Sequence, residues 1–183
     1  MNFWQGKLVR LRSVEPSDAE AFARWNLDSE AARELEFTWP PVSLARLSKG
    51  TEELALKKFE ADEFLLIIGD GEGVAVGNVA THHCNHRAGT FMYGIYVERE
   101  HRRRGYATEA LLLVLKYYFG ELRYQKCTVE VHANNESSIA LHEKLGFCRE
   151  GTLRRMVYTG GQYFDSHYYG LTKEEWERSP LRI

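Results

Sequence analysis

The stretch Arg102-Arg103-Arg104-Gly105-Tyr106-Ala107 constrains the fold more than any other part of this sequence. Before it, Thr90 to Val97 alternates as a strand does, with Phe91, Tyr93, Ile95 and Val97 on one face and Met92, Gly94 and Tyr96 on the other. After it, Ala107, Ala110, Leu111, Val114, Leu115 and Tyr118 recur at helical spacing. The chain thus passes from strand to helix through one charged turn, with a glycine where the helix starts. A helix N-terminus offers unpaired N–H groups and a partial positive charge, so anions bind there. Gly105 has no Cβ to hold an anion off the backbone. A solvated basic loop ahead of an amphipathic helix has the same composition, and the turn alone does not choose between the two.

The remaining segments extend the same alternation of elements. Leu8 to Leu11 reads as a short strand, and Pro16-Ser17-Asp18 starts a helix carrying Ala19, Phe22, Ala23 and Trp25. Trp39-Pro40-Pro41 breaks the chain, and Ser43 is placed to cap a helix running towards Glu60, with Gly50 weakening its middle. Phe64 to Ile68 and Val74 to Thr81, joined through Gly69 to Gly73, predict a hairpin, followed by a polar turn over His82 to Ala88. Cys127 to Ala133 is a further strand. Asn134 or Asn135 caps a short helix that ends at Leu145-Gly146. Arg154 to Tyr158 and Tyr163 to Leu171, joined by Thr159-Gly160-Gly161, form a closing hairpin. No repeat or linker divides the order, which predicts one mixed α/β domain over 1–183.

Composition narrows the function classes. A chain of 183 residues is long enough for a full core, and a net charge of −2 disfavours a dedicated nucleic-acid binder. No apolar run reaches membrane-span length and no signal peptide opens the sequence, so a cytoplasmic protein without a membrane partner is expected. Three cysteines, Cys84, Cys127 and Cys148, have no framework spacing and read as reduced thiols. His82-His83-Cys84-Asn85-His86 crowds its donors into one turn with no partner pair elsewhere, and no metal site is expected.

Arg102-x-x-Gly105-x-Ala107 resembles the acetyl-CoA signature of the GNAT superfamily of N-acetyltransferases. Asn135 to Phe147 looks like that family's second signature, Asn-x-x-(small)-x-x-x-(Tyr)-x-x-x-Gly-Phe. Leu11-Arg12, Val76-Gly77-Asn78, Tyr169-Gly170-Leu171 and Glu175-Trp176 extend the resemblance to the branch containing ribosomal-protein N-terminal acetyltransferases and spermidine acetyltransferases. The resemblance implies a central, mostly antiparallel sheet with flanking helices, whose two central parallel strands end near Val97 and Ala133 and splay apart. It implies acetyl-CoA as co-substrate, held by Tyr96, Val97, Arg102, Arg103, Arg104, Gly105, Tyr106, Ala107, Asn135 and His142. The partner it implies is an amine acceptor, a small molecule or a peptide N-terminus. The resemblance is also compatible with a homodimer, although no feature of the sequence demonstrates one.

Acetyl transfer to an amine needs a neutral nucleophile, and an alkyl ammonium has a pKa of about 10.4. Thr128, Glu130 and His132 share one strand face, and Glu130 matches the catalytic glutamate of the ribosomal-protein enzymes. Glu130 is therefore the expected base, against the alternative of a solvent-facing carboxylate, with Glu98 next in line. His142 stands where the family often has tyrosine. It either protonates the leaving thiolate as imidazolium or packs, or holds the cofactor, as a neutral ring. Ser138 or a tail tyrosine is the substitute acid. Trp25, Phe37, Trp39, Tyr158 and Tyr163 are candidate substrate-lining aromatics, and Glu34 and Glu36 candidate attractors of a cationic amine, with core packing and solvated charge as the plain alternatives. A catalytically idle acyl-CoA-binding or sensing module remains the competing function.

Overall fold

A computed structural model describes residues 2–35 and 38–182, so Glu36 and Phe37 lie outside the described residues. The chain forms β1 (Arg10–Ser13), α1 (Ala19–Trp25), α2 (Ser29–Leu35), α3 (Leu44–Leu56), β2 (Leu65–Gly69), β3 (Ala75–Asn85), β4 (Thr90–Val97) and α4 (Tyr106–Lys116). It continues through β5 (Lys126–His132), α5 (Glu136–Lys144), β6 (Cys148–Thr159), β7 (Gln162–Thr172) and α6 (Lys173–Arg178). The seven strands make one sheet in the order β1-β2-β3-β4-β5-β7-β6. All neighbours are antiparallel except β4 and β5.

That parallel pair departs from ladder geometry. It is in register only at Thr90–Lys126, Phe91–Cys127 and Met92–Thr128. Beyond Met92, β4 follows β3 out to Val97, while beyond Thr128, β5 follows β7 out to His132. The two strands therefore diverge, and backbone groups on their facing edges lose each other as partners. This is the expected splay.

Strand alternation builds two cores. On one face Phe91, Tyr93, Cys127, Val129 and Val131 pack against α4 and against Leu145 after α5. On the other, Ile67 meets Val14, Ala21 and Trp25, with Tyr96 at the margin. The start of α1 is fixed by Asp18, which accepts two bonds from the Arg12 guanidinium and one from the Glu15 amide. Burial alone would raise the Asp18 carboxyl; these donors hold it below the usual range.

Helix α4 is buried from Ala110 through Leu115, more fully than its amphipathic spacing implies. The chain's first residues cover its outer side. Glu109 accepts the backbone N–H of Lys7, Leu8 and Val9 at 2.9, 2.6 and 2.8 Å, and Trp4 packs tilted on Tyr117.

Several boundaries differ from the sequence reading. The first strand lies two residues later, at Arg10–Ser13. Strand β3 runs on to Asn85 and absorbs His82–Asn85, because a register shift between His82 and Asn85 and a left-handed His83 (φ 50) let the polar segment stay paired. Helix α3 is capped by Ser43 as expected but stops at Leu56, where Lys57 turns extended; Gly50 meets nothing within 4 Å and leaves the helix intact. Neither α2 nor α6 was assigned from the sequence pattern.

Candidate active site

Past Val97 a single 3-10 turn (Arg99–His101) and an extended Arg102 deliver the chain to Arg103 and Gly105, both left-handed at φ 64 and 86. Such a turn gathers successive N–H groups into a concave anion seat. Helix α4 makes its first bond from Glu109 N to Gly105 O at 3.0 Å, so the amides of Tyr106, Ala107 and Thr108 point out of its end. A Cβ on Gly105 would lie 3.1 Å from Leu8 Cδ1 as well as being strained by its φ.

A cavity of about 420 Å³ opens from this turn into the splay. Tyr96 and Val97 line it from β4, and Arg102, Arg103 and Gly105 from the turn. Tyr106 and Ala107 line it from α4, and Asn135 and Ser138 from the second signature. Asn135 is the N-cap of α5, its side-chain oxygen accepting from Ser138 N at 3.0 Å. Arg104, also in the expected set, turns back to Glu100 O at 3.0 Å and lies outside the cavity wall.

Helix α2 bridges the two rims. Arg102 donates to Val97 O at 3.1 Å and to the Glu34 carboxylate at 3.0 Å. Asn135 Nδ2 donates to Glu34 O, and Asn134 Nδ2 to Arg33 O, each at 3.3 Å. Glu34 therefore meets an arginine on the cavity wall. His101, Ser137, Leu141 and Lys144 also line the cavity and were not anticipated. A helical wheel holds the signal for the last three: Ser137, Leu141 and Lys144 form a face one residue away from the stripe Asn135, Ser138, His142, Leu145.

That offset decides His142. Its side chain is 1% exposed and does not line the cavity. Its Nδ1 lies 2.7 Å from the Ser138 carbonyl and 3.3 Å from Ser138 Oγ. The ring stacks near Tyr93 and Tyr169 and stands edge-on to Phe147. Burial pushes its pKa down to about 4, against the opposing pull of the Ser138 carbonyl. Of the readings the sequence left open, the geometry fits the neutral, packed ring.

Glu130 lies elsewhere. It projects from the opposite face of β5, two residues past the last β4–β5 pair, and does not line the cavity. Ser166 Oγ donates to its Oε1 at 2.5 Å and the Tyr168 hydroxyl to its Oε2 at 3.0 Å. Burial, then this bond, raises the Tyr168 hydroxyl above its ordinary value. Neither β7 residue was anticipated in this role; the cross-strand register Glu130–Tyr168 and His132–Ser166 is what brings them there. Glu98, the other candidate base, is engaged by Arg24 at 3.3 Å. The Tyr96 hydroxyl is pushed up to about 12 by burial and then by Asp28 and Glu98. Trp25 is core, packed against Tyr96; Tyr158 and Tyr163 pair with each other on the exposed hairpin, and Trp39 is exposed. Cys84 sits beside Tyr118, its thiol raised by burial. Among the described residues no group of three or more His, Cys, Asp or Glu is placed to hold a metal ion.

Residues 9–148 match the acetyltransferase (GNAT) domain family. The SPbeta prophage-derived uncharacterized N-acetyltransferase YokL of Bacillus subtilis (strain 168) is 37% identical over 177 residues, covering 97% of each chain. Spermidine N(1)-acetyltransferase of Escherichia coli (strain K12) is 33% identical over 94 residues, 51% of this chain and 50% of that protein. In fold, the chain resembles the crystal structure of spermidine N-acetyltransferase from Vibrio cholerae in complex with CoA and spermine. That likeness has a TM-score of 0.81 at 20% identity, covering 94% of this chain and all of the other.

Proposed function

The chain belongs to the GNAT acetyltransferase family and is an acetyl-CoA-dependent N-acetyltransferase, and from that premise we propose that it acetylates one primary amine by direct attack in a ternary complex, with Glu130 as base. The acceptor is the amine of a peptide N-terminus or of a small molecule. The observation that carries this reading is the Glu130 carboxylate, held by Ser166 and Tyr168 just past the point where β4 and β5 part.

The chain's residues fit the co-substrate. The left-handed turn and the open end of α4 present amides suited to a pyrophosphate, with Arg102 and Arg103 beside them. The diverging edges of β4 and β5 leave backbone groups for an amide-bearing arm to satisfy. Acetyl-CoA supplies an activated acetyl carbonyl. Glu130 takes the proton that the ammonium must lose before it attacks, directly or through water. With His142 neutral and enclosed, Ser138 Oγ on the cavity wall is the hydroxyl that holds a proton for the departing sulfur. Proximity within the splay accounts for much of the remaining acceleration.

The acceptor side also bears on substrate charge. Among the described acidic residues near α2 and the β4 end, Asp28 and Glu30 pair with Arg99, Glu34 with Arg102, and Glu98 with Arg24. Glu130 is bonded only to neutral hydroxyls in the contacts described above, which suits a single ammonium at the reacting position. CoA release measured across peptides with free and blocked N-termini and across small amines tests the reading. Turnover that requires a free primary amine, and collapses in Glu130→Gln, is the expected result. The burial of His142 favours one competing reading, an idle acyl-CoA-binding module; acetyl-CoA binding without turnover on any amine would establish that instead.

A further inference from the structure

The structure assigns Tyr168 and Ser166 as positioning residues that fix the orientation of the Glu130 carboxylate for proton abstraction. The assignment rests on Glu130 being the base.

The argument begins with the sheet. Glu130 and Tyr168 are directly opposed on β5 and β7, and Ser166 opposes His132 one step along the same face. Residues so related bring their side chains together across the strands. The result is one donor for each carboxylate oxygen, Ser166 Oγ to Oε1 and the Tyr168 hydroxyl to Oε2. Both donors arrive from β7, so each carboxylate oxygen keeps a lone pair on the side away from that strand. A single donor would leave the carboxylate free to rotate; two donors on different oxygens fix its plane.

Ser166 adds an independent point. It is fully buried, at 0% exposure, yet it spends its hydroxyl on a glutamate whose own residue is exposed. A carboxylate that merely faced solvent would need no such partner. The other ionisable groups on this face of β5 are His132 and, towards the strand's start, Lys126, which is paired with Glu150 of β6 at 2.6 Å. Beyond β7, the partners in register are Gly151 and Leu153 of β6, which carry no charge.

The test uses Tyr168→Phe and Ser166→Ala, each removing one hydroxyl with little change of shape. Steady-state kinetics are recorded by CoA release, with spermidine and the tripeptide Ala-Gly-Gly as amine probes, for both variants and for Glu130→Gln, and thermal melts check that each variant is folded. Each hydroxyl loss is expected to lower kcat by about 10-fold, the effect of one lost hydrogen bond to a charged group, while the KM for acetyl-CoA stays unchanged. If Glu130→Gln is inactive but neither hydroxyl variant lowers kcat, or each moves KM and stability instead, the positioning role falls while the base survives. If Glu130→Gln retains full turnover, the base assignment falls and takes this inference with it.

Discussion

Glu130 and His142 make an instructive pair. Both project from elements that meet at the splay, and both are of a residue type that moves protons. Around Glu130 the neighbours are hydroxyls, and the group keeps contact with solvent. Around His142 they are the rings of Tyr93, Phe147 and Tyr169, and solvent is shut out. An ionisable side chain near a cavity is therefore not yet a catalytic group; what it faces decides whether its charged form is accessible.

The largest expected effect tests the first member of the pair. Glu130→Gln should lower kcat by about 10²- to 10⁴-fold, the usual contribution of a general base, with the KM for acetyl-CoA little changed. A steady-state assay with saturating acetyl-CoA measures it, and an unaltered kcat would erase the contrast.

His142 should instead reveal itself in stability. Its folded pKa of about 4 lies below the reference value of 6.5. Between those values the unfolded chain takes up a proton that the folded chain refuses. The stability attached to this residue is complete above pH 6.5 and declines as pH falls towards 4, by about 3 kcal/mol in all. His142→Phe should remove that part of the acid destabilisation while changing kcat less than about threefold. Denaturant melts at pH 7 and pH 4.5 for both proteins, with a rate assay at pH 7, check the two statements.

Two substitutions sharpen the comparison by separating cofactor retention from proton handling. Gly105→Val places a side chain in the left-handed region and against Leu8. It should weaken acetyl-CoA binding by roughly 10- to 100-fold, as one or two amide contacts are lost. Calorimetry reads this directly, and the pH dependence should not move. Glu34→Ala frees Arg102 from a partly exposed ion pair worth at most about 1 kcal/mol. Acetyl-CoA should bind up to about fivefold more tightly, since the pyrophosphate no longer competes with that carboxylate.

Much of the molecule was legible from residues alone. Thr90 to Val97 is a strand to the residue, Asn135 caps α5, and Gly146 closes that helix with φ 92. These features depend on neighbours in the chain, where periodicity and cap chemistry act. The unassigned α2 has a different origin. Ser29–Leu35 is short, and its placement rests on Arg99, Arg102, Asn134 and Asn135, all distant in sequence. Arg104 was grouped with its neighbours by composition, whereas the left-handed step at Arg103 sends it outward to Glu100. Along one stripe of α5 and its end, Asn135 and Ser138 meet the cavity whereas His142 and Leu145 meet the core, a division that spacing cannot show.

From the residues alone it follows that Arg102 to Ala107 joins a strand to a helix, and that Glu130 shares a strand face with Thr128 and His132, because alternation and helical spacing are local consequences of backbone geometry. The convergence of Ser166 and Tyr168 on Glu130, the pairing of Glu34 with Arg102 and the enclosure of His142 arise from the folded arrangement. Each of those outcomes depends on which strand lies beside which, and on how a helix is rotated against a sheet. Contacts between distant segments set both.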